Sequence, residues 1–202
     1  MMILRSAPPS PFGRKIRIAA GILGLDNEIE IQAVDLTNPS DSVRQQNPLG
    51  KIPVLIAEDG KVYYDSRVVL EYLDLRAGGG IIVPRDAHAR LDAYVLQALC
   101  DGILDAGILQ VYEGRYRAAD KHDDNWLAYQ AEKVARGLRA LEASPPVLGS
   151  KPHVGHIALA CALGYGDLRF AGAWRANHPN LVDWLDAFAQ RVPAFEQTKV
   201  KA

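Results

Sequence analysis

Three short stretches in the first third of the chain hold residue types that can do chemistry at a ligand. Ser10 stands just before a helical pattern that runs from Phe12 to Leu25. A serine there caps the helix. In a functional role its hydroxyl sits at the positive end of the helix, where it stabilises a thiolate by hydrogen bonding and lowers the thiol pKa. Pro53 follows Ile52 where a turn enters an apolar stretch. A trans proline there opens an edge strand, whereas a cis one turns the N–H and C=O of Ile52 outward, toward a ligand. Asp65-Ser66 precedes a second helical pattern, Arg67 to Leu75. Either residue caps a helix. A helix start also binds carboxylates through its unpaired N–H groups, and the serine hydroxyl adds a donor. Asp65 would then face an ammonium, so the pair suits the α-amino acid end of a ligand.

The elements that must position these residues divide the chain in two. Met2-Ile3-Leu4 is a short apolar run stopped by Ser6-Ala7-Pro8-Pro9-Ser10-Pro11, where the prolines exclude strand and helix interior alike. The first helix places Ile16, Ala19, Ala20 and Leu23 on one face and Arg14, Lys15 and Arg17 largely off it, and Gly24 suits its end. Glu28 to Val34 alternates as a strand does, Ile52 to Ala57 is an apolar strand, and Asp59-Gly60 turns into Lys61-Val62-Tyr63-Tyr64. The predicted order is β-α-β, a short helical connection, then β-β-α, ending at residue 76. Residues 77–86, opened by Ala77-Gly78-Gly79-Gly80, are a linker. From 87 to 202 the pattern is helical. Leu91, Val95, Leu99, Leu104 and Ile108 mark one helix, Trp126, Val134, Leu138 and Leu141 another, and Leu181, Trp184, Leu185 and Phe188 a further one. Val154 to Leu163 is apolar nearly all round, as a central buried helix is. The fold class is an α/β N-terminal domain, 1–76, joined to an all-α C-terminal domain, 87–202.

At 202 residues the chain can bury a core without disulfides. Hydrophobic residues at 49% exclude disorder as the main state, and a formal charge of −1 argues against nucleic acid or an anionic membrane as the main partner. No apolar run approaches the roughly 20 residues that span a bilayer, and the N-terminus lacks the order of a signal peptide. Cys100 and Cys161, far apart in apolar helical patterns, are then reduced, buried thiols of a cytoplasmic protein. No His/Cys cluster has zinc spacing, so no metal is expected. Asp101 and Asp105 are expected as solvated or linker-facing carboxylates. Tyr112, Arg115 and Tyr116 share one helix, where the aromatics either belong to a core or line a cleft for an apolar ligand.

Taken together, Ser10-Pro11-Phe12-Gly13-Arg14-Lys15-Ile16-Arg17, Asn47-Pro48-Leu49-Gly50-Lys51-Ile52-Pro53-Val54-Leu55 and Tyr64-Asp65-Ser66 resemble the glutathione S-transferase family, in its bacterial type with a Ser-Pro-Phe motif. The likeness extends to the domain order and the glycine-rich linker. It implies a thioredoxin-like N-terminal domain, an all-α C-terminal domain, a homodimer, and glutathione as co-substrate without a metal. It makes Pro53 a cis-proline. By position, it assigns Ser10 to the glutathione sulfur, the Ile52 backbone to the cysteinyl part, Asp65 and Ser66 to the γ-glutamyl end, and Lys51 to the glycine carboxylate. Phe12, Tyr112 and Tyr116 would border the electrophile. No cysteine stands at position 10, as in a thiol-transferring omega-like reductase, and no tyrosine near residue 6 offers another activating hydroxyl. The implied activity is detoxification by conjugating the thiolate to small hydrophobic electrophiles. The alternatives are a catalytically silent interaction or regulatory module, and a glutathione-dependent peroxidase, dehalogenase or isomerase on the same site.

One pair of residues departs from the family pattern. Its buried helix usually begins with Ser or Thr and an Asp three residues on, a reciprocal cap. The matching positions here are His153 and His156. The expectation is loss of that cap, worth about 1 kcal/mol. The histidines then either substitute at the helix start or, sharing a face at i,i+3, form a metal or pH-sensitive pair.

Overall fold

A computed structural model describes residues 1–200. In chain order the main elements are β1 (Met2–Ser6), α1 (Pro11–Leu23), β2 (Ile29–Ala33), α2 (Val43–Gln46), β3 (Val54–Ile56), β4 (Val62–Tyr63), α3 (Ser66–Arg76), α4 (Ala87–Tyr116), α5 (Asp124–Ala143), α6 (Val154–Arg169), α7 (Pro179–Arg191) and α8 (Ala194–Gln197). They form two compact units, one of residues 1–90 with the chain from Val192 onward, the other Leu91–Arg191.

The first unit is a four-stranded sheet in the order β2-β1-β3-β4, with β1 and β2 parallel and the other pairs antiparallel. Met2 and Leu4 of β1, Val54 and Leu55 of β3, Ile16 and Ala19 of α1, and Val69, Leu70 and Leu73 of α3 are fully buried and make its core. This is the thioredoxin-like half, and its element order is the one the punctuation of the sequence predicts. The boundaries shift by a residue or two. Pro11 is the first residue of α1, where its missing N–H costs nothing, and Ser66 lies inside α3 rather than ahead of it.

The charges on α1 correct the periodicity argument. Lys15 is fully buried and Arg14 nearly so. The segment from Ala194 to Thr198 returns to this unit and covers Arg14, while Lys15 reaches Ser66 of α3. Arg14 donates to the Phe195 carbonyl at 2.7 Å and to Thr198 Oγ1 at 3.3 Å, with its guanidinium 4.2 Å from the Phe195 ring. Where α8 crosses α1, Gly21 leaves room: a Cβ there would stand 2.7 Å from Ala194 Cβ. The helical half expected from 87 to 202 therefore gives up its last residues to the first unit.

The connection 77–86 is organised by one buried carboxylate. Asp74 accepts from the backbone N–H groups of Gly80, Ile81, Ile82 and Val83 at 2.7–3.3 Å. The chain can fold back so closely because Gly78, Gly79 and Gly80 all have positive φ, a region that side-chain-bearing residues disfavour.

The second unit is helical, with no strand among the described residues. Helix α6 is buried continuously from Val154 to Tyr165, as its apolar composition predicts. Gly155 lets α4 approach it, since a Cβ there would meet the Ala93 carbonyl at 2.8 Å, and Gly137 of α5 accommodates Ile103. The apolar stretch of α4 is, by length and composition alone, enough to cross a membrane, which the sequence argument denied. Its Ala93, Cys100, Ile103 and Leu104 are instead packed inside this unit. Asp101 is buried among them, against the expectation of a solvated carboxylate, while Asp105 is exposed.

The cap of α6 is kept, which corrects the expected loss. His153 is the N-cap, its Nδ1 accepting from Gly155 N–H at 3.1 Å, and His156 Nδ1 accepts from His153 N–H at 3.2 Å. Two imidazoles thus perform the reciprocal bonding of a capping box.

Candidate functional site

Strand register brings the three N-terminal stretches to one end of the sheet. Arg5 of β1 pairs with Val54, so the segment leaving β1 toward Ser10 and the segment Ile52-Pro53 entering β3 lie at the same end. Tyr63 of β4 pairs with Leu55, so the chain leaving β4 delivers Tyr64, Asp65 and Ser66 there too. Ladder geometry alone therefore gathers residues separated by more than fifty positions.

Each is held locally. Ser10 is the N-cap of α1 in extended conformation, and its Oγ accepts from Gly13 N–H at 3.1 Å. Since that bond uses a lone pair, the hydroxyl proton remains for another acceptor. Gly13 is required by its neighbour, because a Cβ at that position would collide with Ser6 Oγ. Phe12 is half-buried beside it.

The turn before Pro53 is built on Asn47, which sequence reading took only as part of a turn. Buried Asn47 donates through Nδ2 to the Lys51 carbonyl at 2.9 Å and accepts from Leu49 N–H at 3.0 Å. Lys51 is exposed, Ile52 half-buried, and the Ile52–Pro53 peptide is cis. Paired strand begins only at Val54, which leaves Ile52 outside the ladder. Arg5 anchors the preceding loop to β1 through Asp41 at 3.0 Å and Ser42 Oγ at 2.8 Å.

Asp65 is the N-cap of α3, its carboxylate accepting from Arg67 N–H at 3.0 Å, and the Tyr64–Asp65 peptide is also cis. Asp65 is exposed while Ser66 is buried. Ser66 Oγ accepts from Lys15 Nζ at 3.1 Å, a bond that ties the start of α3 to α1. No spacing rule flagged Lys15, because a lysine on an amphipathic helix ordinarily faces water.

The other aromatic candidates belong to the second unit. Tyr112 and Tyr116 meet edge to face with ring centroids 5.2 Å apart, and the Arg115 guanidinium lies 5.2 Å from the Tyr112 ring. Sequence reading missed Tyr165 of α6, which is electrostatically coupled to both Tyr112 and Arg115. Burial pushes the Tyr165 phenol up, while Arg169, hydrogen-bonded to it, and Arg115 pull it down. Among the described residues no cluster of His, Cys, Asp and Glu is arranged to hold a metal.

Comparison with known proteins identifies the family of the chain. Residues 9–76 match the model of the glutathione S-transferase N-terminal domain, and residues 111–187 that of its C-terminal domain. The chain is 35% identical over 188 residues to the uncharacterized GST-like protein YibF of Escherichia coli (strain K12), covering 90% of this chain and 91% of that one. A crystal structure of a glutathione transferase family member from Pseudomonas fluorescens Pf-5, with bound glutathione, is 40% identical with a TM-score of 0.93 and full coverage of both chains. A second structure of that family member holds S-(propanoic acid)-glutathione and superposes with a TM-score of 0.88, again at 40% identity and full coverage. The chain belongs to the glutathione S-transferase family.

Proposed function

We propose that this protein is a glutathione transferase that conjugates the glutathione thiolate to small apolar electrophiles, with Ser10 stabilising the thiolate. The observation that carries the reading is the convergence of Ser10, Ile52-Pro53 and Asp65-Ser66 at one end of the first unit's sheet. The Pf-5 relative, with glutathione in one structure and an S-substituted glutathione in another, supports it.

The chemistry follows from the hydroxyl's bonding. Ser10 Oγ already accepts from Gly13 N–H, so its own proton points to the sulfur, and the first turn of α1 adds positive potential. A thiol of pKa about 8.5 is a few per cent ionised at neutral pH, and lowering it by about two units raises the thiolate fraction more than tenfold. The thiol proton passes to water, and a sulfur lone pair forms the new C–S bond. The electrophile's carbon gives up the pair it shared, which leaves with the departing anion or, where the electrophile adds the thiol across an epoxide C–O or a C=C bond, takes a proton from water. The Ile52 backbone pairs with the cysteinyl part, Asp65 takes the γ-glutamyl ammonium, Ser66 its carboxylate, and Lys51 the glycine carboxylate. Phe12, half-buried two residues after Ser10, is the aromatic residue of the first unit offered to the electrophile.

The protein works as a homodimer in the cytoplasm. Leu91, Val95 and Leu99 recur at four-residue intervals on α4 as an exposed apolar stripe, which a second copy covers. Cys100 and Cys161 are buried thiols, consistent with a reducing compartment. Calorimetric titration with reduced glutathione and with an S-alkyl glutathione tests the central reading. Both should bind, the alkylated form more tightly. If neither binds at millimolar ligand, the chain is an interaction module on the same fold.

A further inference from the structure

The first unit buries a lysine completely, and that lysine touches the ligand machinery from behind. Lys15 stands on α1 with its side chain fully removed from water, its Nζ 5.5 Å from the Phe12 ring and 3.1 Å from Ser66 Oγ. Lysine is among the residues least often found fully buried, because an ammonium gives up its hydration at a large cost. A methionine of similar length would fill the same space without that cost. What methionine lacks is a donor.

The bond to Ser66 has a direction, and the direction has a consequence. A lysine ammonium carries three donors and no acceptor, whereas a serine hydroxyl carries one donor and two acceptor lone pairs. Ser66 Oγ must therefore be the acceptor from Lys15, and its single O–H proton is left to donate elsewhere. Ser66 is the first residue of α3, where the N–H groups of the opening turn have no intrahelical acceptor. The Ser66 hydroxyl and the N–H groups of that turn that the Asp65 carboxylate does not already hold then offer donors to a ligand. Such a set accepts a carboxylate and disfavours a group that itself donates. A hydroxyl that already accepts from a cation is also the stronger donor. Without Lys15 the hydroxyl would be free to rotate and to accept rather than donate.

We infer that Lys15 is a positioning residue for ligand recognition: by donating to Ser66 Oγ it fixes that hydroxyl as a donor to the α-carboxylate of the ligand's γ-glutamyl end. Lys15 itself does not touch the ligand. The inference rests on the glutathione reading above and goes further by naming which group sets the selectivity of Ser66 for an anion.

The test compares two ligands by calorimetry: reduced glutathione, and 4-aminobutanoyl-cysteinyl-glycine, which lacks only the γ-glutamyl α-carboxylate. The proteins are wild type, Lys15→Met, Lys15→Arg, Ser66→Ala and the Lys15→Met/Ser66→Ala double variant, each checked for its melting transition. Lys15→Met should weaken glutathione about tenfold, the scale of a hydrogen bond to a charged group, and leave the carboxylate-free ligand within about twofold. Lys15→Arg, which keeps a donor, should restore most of the loss. In the Ser66→Ala background Lys15→Met should add nothing. Equal weakening of both ligands would make Lys15 merely structural and overturn the inference, as would an unchanged glutathione affinity or additive effects in the double variant. Should Lys15→Met not fold, Ser66→Ala decides alone, because unchanged discrimination between the two ligands removes the role given to its hydroxyl. If wild type binds neither ligand, the glutathione reading itself falls. If wild type binds glutathione and the variants do not discriminate, only the inference about Lys15 falls.

Discussion

The imidazole rings of His153 and His156 stack with centroids 3.6 Å apart, and each offers an unprotonated Nδ1 to a backbone N–H at the start of α6. A proton on either Nδ1 replaces an acceptor with a donor facing a donor. The arrangement therefore holds both rings neutral. Burial, and then the neighbouring His153, push His156 down to about 4, against a hydrogen bond with the Val147 backbone; burial also lowers His153.

Stability should fall on acidification through this pair. A histidine whose folded pKa lies below its unfolded value binds protons more readily when unfolded. The contribution is complete above the ordinary value of 6.5 and is lost as pH drops toward about 4. Urea melts across that window should show the wild type losing stability faster than a His153→Ser/His156→Asp variant. That variant restores an oxygen-based reciprocal cap with a carboxylate at the helix start. Parallel pH profiles for the two proteins would show that the histidines do not carry the dependence.

Ser10→Ala separates the helix cap from the proposed contact with the glutathione sulfur. Loss of the cap on Gly13 N–H should cost about 1 kcal/mol in denaturant melts. Loss of the proton donated to sulfur should raise the pKa of bound glutathione, followed by its thiolate absorbance, and lower conjugation at neutral pH by about tenfold or more. A normal rate with the expected stability loss would leave Ser10 a cap and nothing else.

Gly21→Ala sets helix propensity against space. Alanine favours the helix by about 1 kcal/mol. Its Cβ would stand 2.7 Å from Ala194 Cβ, and overpacking of this kind costs about 1–3 kcal/mol. The clash should win and push α8 off α1, so limited proteolysis should cut the chain beyond Val192 faster than in wild type. Equal cleavage rates would show that α8 yields without detaching.

Val95→Glu places a charge in the middle of the stripe formed by Leu91, Val95 and Leu99. Light scattering at micromolar concentration should move from the mass of two chains to that of one, with the melting transition little changed because Val95 is exposed within its own chain. A wild type that already scatters as one chain would remove the dimer.

Much of the first unit was legible because its boundaries are written in proline, glycine and short polar residues. The prolines from Pro8 to Pro11 end β1 and open α1, and Asp59-Gly60 turns β3 into β4. The end of the sheet where Ser10, Ile52-Pro53 and Asp65-Ser66 meet was legible for the same reason, since those residues sit at those boundaries. What escaped depended on partners distant in sequence. Lys15 and Arg14 lie off the apolar face of their helix and are buried only because α3 and α8 come to them. At the start of α6 the substitution of histidines as caps was among the expectations, but their reciprocal bonding was not, because imidazole is not among the usual capping groups, yet a neutral ring nitrogen accepts a bond as an oxygen does. Asp101 was expected to be solvated or to face the linker, because a carboxylate carries no sign in the sequence of being enclosed.

The return of the chain end to α1 also sets an order of events in the life of the molecule. A ribosome delivers Arg14 long before Thr198, 184 positions later. Until Ala194 to Thr198 have been made, the nascent sheet and its first helix stand with the Arg14 and Gly21 surface bare, and the whole helical unit has to be translated before the strap that closes it exists. Completion of the first unit thus waits on residues translated after the whole helical unit, and a cut between Val192 and Thr198 strikes the half of the molecule that was made first.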